Sequence, residues 1–221
     1  DGKQAAAVDV IGFVLNDQGK QTANFKTRLN VTPLPAGATA AAGERAGVIY
    51  NYRAPLAPGL YQIRAAARDA GSGQVGSARQ WIEIPDLSKR QLTLSSLHLG
   101  GRSVGGAKPG EAPQIQFSVD RRFARSSRLD FMAFIYNASR AQGSGPVDLS
   151  AQIRVLHDNS AIVSAPPRKL TPDANADFAR IPLTGAVSLG QLPAGQYEIE
   201  ITVNDNLAKT SATQRVPFEI Q

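Results

Sequence analysis

The sequence predicts an all-β protein made of two tandem β-sandwiches of the immunoglobulin or fibronectin type III kind. Three features carry that expectation: hydrophobic alternation with a period of two, an ungapped internal repeat, and turn-forming clusters at the intervals usual for all-β folds.

The repeat is the strongest of the three. Leu56 to Ile84 lies over Leu192 to Ile220 at a constant offset of 192 − 56 = 136 residues. Identical pairs are Leu56/Leu192, Gly59/Gly195, Tyr61/Tyr197, Ile63/Ile199, Asp69/Asp205, Glu83/Glu219 and Ile84/Ile220. Within the second copy Tyr197, Ile199, Ile201 and Val203 alternate with Glu198, Glu200, Thr202 and Asn204, which is the pattern of a half-buried strand. Tyr61, Ile63, Ala65 and Ala67 repeat it, and a glycine-rich turn then leads to a second strand through Ile82 and Ile84. Each copy therefore reads as a β-hairpin that closes one domain. The lead-in Leu-x-x-Gly-x-Tyr matches the entry to a tyrosine corner, in which the ring hydroxyl bonds to backbone just upstream, so Tyr61 and Tyr197 are expected to be structural.

Other strand-like runs are Val8 to Leu15, Phe25 to Val31, Val48 to Tyr52, Leu92 to Leu99, Ile115 to Val119, Leu129 to Tyr136 and Val147 to Leu156. None has helical spacing over three turns. Domain 1 is placed at residues 1–86, a polar linker at 87–91 and domain 2 at 92–221. Gly100 to Pro113 and Pro166 to Phe178 read as irregular insertions in the second domain.

Composition narrows the function classes. A chain of 221 residues with 42% hydrophobic and 19% charged residues can bury a core, and its length favours two domains over one. No stretch reaches the roughly 20 apolar residues that span a bilayer. The start at Asp1, with Met132 as the sole methionine, reads as a processed or excised piece. There is no cysteine, which excludes disulfides, thiolate catalysis and Cys-ligated zinc. Two histidines, His98 and His157, are too few for a usual transition-metal site, and no cofactor is expected. Asp69 and the Asn204-Asp205-Asn206 run offer oxygen ligands of the kind calcium takes, but hairpin turns are the preferred reading of these residues.

Two literal motifs lack their required context. Gly71-Ser-Gly-Gln-Val-Gly76 matches Gly-x-Gly-x-x-Gly, yet phosphate binding needs a helix after the glycines and Ser77 to Ile84 alternates as a strand. Gly101-Arg-Ser-Val-Gly105 matches the nucleophile-elbow pattern around Ser103, but no helical run follows it. The chain is thus expected not to be an enzyme.

Net charge is +6, and the span from Arg102 to Arg128 holds six basic and two acidic residues, 6 − 2 = +4. Arg121, Arg122, Arg125 and Arg128 form its densest part and are the candidate patch for an anionic partner. The spread of the remaining charge does not suggest nucleic acid.

Val10 to Lys20, Gly59 to Arg64, Arg68 to Ala78, Gln80 to Asp86 and Leu94 to Leu97, with Ile135 to Asn137, Gly195 to Tyr197 and Phe218-Glu219, resemble the region that follows the A domain in bacterial von Willebrand factor A-related domain proteins. The resemblance implies an exported protein, periplasmic, cell-surface or extracellular, with a von Willebrand factor A domain upstream. The A domain's own Asp-x-Ser-x-Ser metal motif is not matched: Asp148-Leu-Ser150 and Asp158-Asn-Ser160 both fail at the last position.

The resulting expectation is a non-enzymatic exported interaction or spacer module whose partner is a protein or a cell-surface polymer. The alternative is a structural subunit, a homo-oligomer that joins edge to edge into a fibre or surface layer.

Overall fold

A computed structural model describes residues 6–31, 50–102, 115–143, 145–172 and 177–221. The protein is all-β, and it divides into two compact units, Asp1–Asp86 and Leu87–Gln221.

The described part of the first unit is one antiparallel sheet. Its strands are β1 (Ala6–Asn16), β2 (Gln21–Val31), β3 (Gly59–Asp69) and β4 (Val75–Ile84), in the order β2-β1-β3-β4. The alternation read from the sequence fixes which side chains share a face: Val8, Val10, Gly12 and Val14 align with Leu29, Thr27, Phe25 and Ala23 on one side and with Asp69, Ala67, Ala65 and Ile63 on the other. A Cβ on Gly12 would collide with the Phe25 ring, so glycine here makes room for an aromatic laid across the sheet. Tyr50 and Tyr52 pack their rings against Phe25 at 5.4 and 4.7 Å between centroids, and the Tyr52 hydroxyl donates to the Asn24 carbonyl. Burial on this face is nevertheless partial. Val14 and Tyr61 are its buried hydrophobics, while Ile63, Phe25 and Leu29 stay half-buried.

The second unit is a two-sheet sandwich. It contains β5 (Thr93–Leu94), β6 (His98–Arg102), β7 (Ile115–Phe117), β8 (Arg122–Phe123), β9 (Arg128–Tyr136), β10 (Leu149–His157), β11 (Ser160–Ser164), β12 (Arg168–Leu170), β13 (Ile181–Ser188), β14 (Gly195–Asp205) and β15 (Thr210–Ile220). One sheet runs β11-β10-β14-β15-β8 with β12 also on β10; the other runs β13-β9-β6-β7 with β5 on β9. Between them lies the core, in which Leu129, Phe131, Ile135, Leu149, Val155, Ile199, Ile201, Val203 and Ile220 are essentially inaccessible.

The repeat explains the relation between the units. The order β2-β1-β3-β4 in the first corresponds to β11-β10-β14-β15 in the second, with the two copied hairpins in equivalent places. In the second unit a further sheet covers the apolar face of this four-stranded arrangement. Among the described residues, the first unit has no counterpart of that covering sheet, so the second layer of its expected sandwich is not among them.

Several sequence expectations change in detail. Leu92 to Leu99 is two short strands rather than one, β5 and β6. Tyr50 to Tyr52 is not a strand but carries the rings that cover Phe25, and residues 48–49 lie outside the described residues. Pro166 to Phe178 contains β12, because Arg168 to Leu170 finds an open place beside β10. The expected linker 87–91 belongs to the second unit: Leu87–Lys89 is a 3-10 turn, and the Asn137 amide donates to the carbonyls of Leu87 and Gln91.

Candidate interaction surfaces

The two tyrosines make the same tie. Tyr61 donates to the Ala57 carbonyl and Tyr197 to the Pro193 carbonyl, each at 2.9 Å and four residues upstream. Gly59 and Gly195 precede them with φ of 149° and 156°, a region that L side chains rarely adopt, and in both cases the tyrosine ring packs against the glycine. These residues close the corners of the sheets, and both hydroxyls are engaged with backbone.

Asp69 and Asp205 also occupy equivalent turns with unequal roles. Asp69 accepts from the Gly71 amide (3.0 Å) and the Ser72 hydroxyl (2.6 Å), and the Ser72 bond lowers its pKa first, then that from Gly71. Asp205 is 1% exposed. Its Oδ1 accepts from Leu207 and Ala208 N–H at 3.0 Å, and its Oδ2 accepts from Ser139 N–H at 2.7 Å. Burial pushes this carboxyl up, but the donors of Ala208, Ser139 and Leu207 outweigh it and hold the pKa below the ordinary value. Since Ser139 follows β9, Asp205 clips one sheet of the sandwich to the other. Among the described residues no group of three or more His, Asp or Glu converges as a metal site.

The Gly71 to Gly76 motif spans the turn between β3 and β4, with Gly73 at φ 73°, and its last two residues, Val75 and Gly76, already belong to strand β4. Ser103 lies outside the described residues.

The arginines of the candidate anionic patch surround β8, and three of them already have partners. Arg122 pairs with Glu219 at 3.2 Å, Arg128 with Asp130 at 3.5 Å, and Arg125 donates to the Gly190 carbonyl at 3.1 Å. Arg121 adopts φ 54° and its carbonyl accepts from Glu219 N–H. Arg122 thus ties β8 to β15, Arg125 reaches the turn after β13, and Arg128 pairs with an acid on its own strand β9.

Two clusters escape a linear reading because their members come together only through strand register. On the outer face of the second unit, Arg154, Glu200 and Arg215 align across β10, β14 and β15. Arg215 donates to Glu200 Oε2 at 2.6 Å, Arg154 binds its Oε1, and Arg215 reaches Glu198 at 3.4 Å. Arg215 first, with Arg154, lowers the Glu200 pKa against the opposing effect of burial. A carboxylate with a depressed folded pKa stabilises above its unfolded pKa, here about 4.5, and loses that contribution as pH falls through the folded value. The expected result is that the parent loses more stability than Glu200→Gln on acidification below about pH 4.5, measured by urea unfolding at a series of pH values. Parallel curves for the two proteins would contradict the assignment.

The second cluster is the outer face of the first unit. Register places Lys26, Arg28, Arg64, Arg68 and Arg79 on this side with Asp9 and Glu83, which gives 5 − 2 = +3. Ile11, Leu60, Val75 and Trp81 are exposed on the same side, Val75 to 68% and Trp81 to 50%. Asp9 pairs with Arg28, whose guanidinium lowers its pKa. Where the second unit sets Glu200 opposite Arg215, the first has Arg64 opposite Arg79, so the acid of the ion cluster is replaced by a second base.

No family model and no curated protein sequence matches the chain. Among the described residues no helix is long and apolar enough to cross a membrane.

Proposed function

We propose that the chain is a non-catalytic interaction module of an exported protein, built on immunoglobulin-like sheets, with the first unit as the presenting surface. The carrying observation is the outer face of the β2-β1-β3-β4 sheet, where exposed Trp81, Leu60, Val75 and Ile11 stand among five basic side chains. Aromatic and arginine side chains are the residues that protein interfaces enrich. The tyrosine corners and the short parallel pairing of β8 with β15 support the immunoglobulin-like description. Export rests on the family resemblance.

Partners of this face are acidic proteins or anionic surface polymers. On an acidic-polysaccharide column the parent is expected to be retained at low salt and released at high salt, as screening shortens the reach of exposed charges. Arg64→Glu/Arg68→Glu should lose retention, whereas Arg122→Glu/Arg125→Glu, with an equal change of charge, should keep most of it. The opposite ranking would move the binding surface to the second unit. Labelling of the chain by a serine-directed fluorophosphonate would overturn the non-catalytic reading.

A further inference from the structure

We propose that β4 is a pairing edge, on which a second copy of the chain docks its own β4 antiparallel with Trp81 opposite Trp81 of the copy. The proposal rests on the interaction-module reading and names one partner for it.

Backbone geometry comes first. Asp69 N–H donates to the Gln74 carbonyl at 2.9 Å, and pairing continues from there to Gly59↔Ile84 without a register shift. Hydrogen-bonded and non-hydrogen-bonded pairs alternate along an antiparallel ladder. Ser77, Arg79, Trp81 and Glu83 must therefore turn their N–H and C=O groups away from β3, towards the side of β4 on which no described strand pairs. The Trp81 carbonyl accepts from the Gln80 side-chain amide at 3.1 Å, a bond that pairing would displace.

The copied hairpin shows what this edge accepts. In the second unit Glu219, the counterpart of Glu83, donates its N–H to the Arg121 carbonyl at 2.9 Å, and Gln221 donates to Phe123. There β8 occupies the edge, in parallel and over two residues, so the copied hairpin shows that the edge takes a strand and leaves its direction to the side chains. Among the described residues β4 pairs only with β3, and from Val75 to Ile84 it contains neither a proline nor a bulge; of the devices that guard an edge strand it carries charge, in Arg79 and Glu83.

Charge selects the occupant and the register. An antiparallel pair centred on Trp81 sets Arg79 opposite Glu83 of the copy and, by the two-fold, Glu83 opposite Arg79 of the copy. All six side chains of this row lie on one face. Arg79, which faces Arg64 across β3, thereby gains an acid on its other side. The opposite edge of the sheet lacks this complementarity, since β2 carries Lys26 and Arg28 and no acid. A two-fold pair of this kind closes on itself, so it gives dimers rather than fibres.

Sedimentation of the full chain over a wide concentration range is expected to show a monomer–dimer equilibrium. Arg79→Glu should weaken dimerisation about tenfold, because the two-fold turns both cross-strand pairs into like-charge pairs. Arg79→Glu/Glu83→Arg should restore it. Because the chain has no cysteine, Trp81→Cys gives a single thiol whose counterpart lies about 5.5 Å away between Cα atoms, within disulfide reach. It should oxidise to a covalent dimer faster than Val75→Cys, which the register places far from its own copy. A chain that stays monomeric, equal cross-linking at the two positions, or a dimer indifferent to Arg79→Glu would each overturn the proposal. Failure of the interaction-module reading has a different signature, covalent labelling by the fluorophosphonate with the dimer intact.

Discussion

Asp205→Ala is expected to destabilise the second unit by about 3 kcal/mol, because it strips a buried acceptor from three backbone donors and leaves them unpaired. The N–H groups of Ser139, Leu207 and Ala208 all point at that carboxylate, and Ser139 lies in the loop that follows β9 of the opposing sheet. Asp69→Ala removes the equivalent residue of the repeat, yet its donors lie in an exposed turn where water replaces the carboxylate. Its effect should be much smaller. Asp205→Asn should fall between, since an amide oxygen can still accept from one side of the turn. Chemical unfolding followed by far-ultraviolet circular dichroism measures all three. Equal losses for Asp205→Ala and Asp69→Ala would mean that the inter-sheet clip contributes nothing.

Ile199→Ala and Ile63→Ala should separate the two units in the same way. Ile199 is inaccessible in the core of a closed sandwich, where removing an isoleucine side chain costs about 3 to 4 kcal/mol. Its counterpart Ile63 lies half-buried on the face that no second described sheet covers, so it loses less apolar burial and leaves no closed cavity, with an expected cost of about 1 kcal/mol. Trp81 is the only tryptophan and belongs to the first unit, so its fluorescence follows that unit while circular dichroism follows both. Ile63→Ala should shift the fluorescence transition slightly, and Ile199→Ala should shift the dichroism transition strongly. A cost at Ile63 as large as that at Ile199 would show a fully covered first sheet.

The copied hairpins were legible because their signal is local. Alternation from Tyr61 to Ala67 and from Tyr197 to Val203, bounded by glycine turns, is written along the chain and needs no partner to be read. β13 was not legible: Pro182 and Gly185 interrupt Ile181 to Ser188 as turn residues do. The structure accommodates both because β13 is an edge strand, and because a side chain at Gly185 would collide with the Phe131 ring of β9. β8 is too short to show any period, and it forms by pairing with β15 across a long stretch of chain.

Surface clusters followed the same division. Arg121 to Arg128 stood out because its charges are adjacent in sequence, yet Glu219 and the Gly190 carbonyl, which take up Arg122 and Arg125, come from distant strands. The basic face of the first unit was invisible for the converse reason. Lys26 and Arg28, Arg64 and Arg68, and Arg79 stand far apart in sequence and meet only when β2, β1, β3 and β4 fall into register.

Residue-resolved amide hydrogen exchange along β4, compared between dilute and concentrated protein, tests the presenting edge most directly. In dilute solution the N–H groups of Ala78, Gln80 and Ile82 should be protected by β3, while those of Ser77, Arg79, Trp81 and Glu83 exchange freely. At high concentration Arg79, Trp81 and Glu83 should become protected as well, and Arg79→Glu should remove that gain. Protection of Arg79 and Trp81 in the dilute protein, or free exchange at every concentration, would contradict an edge held open for a second copy.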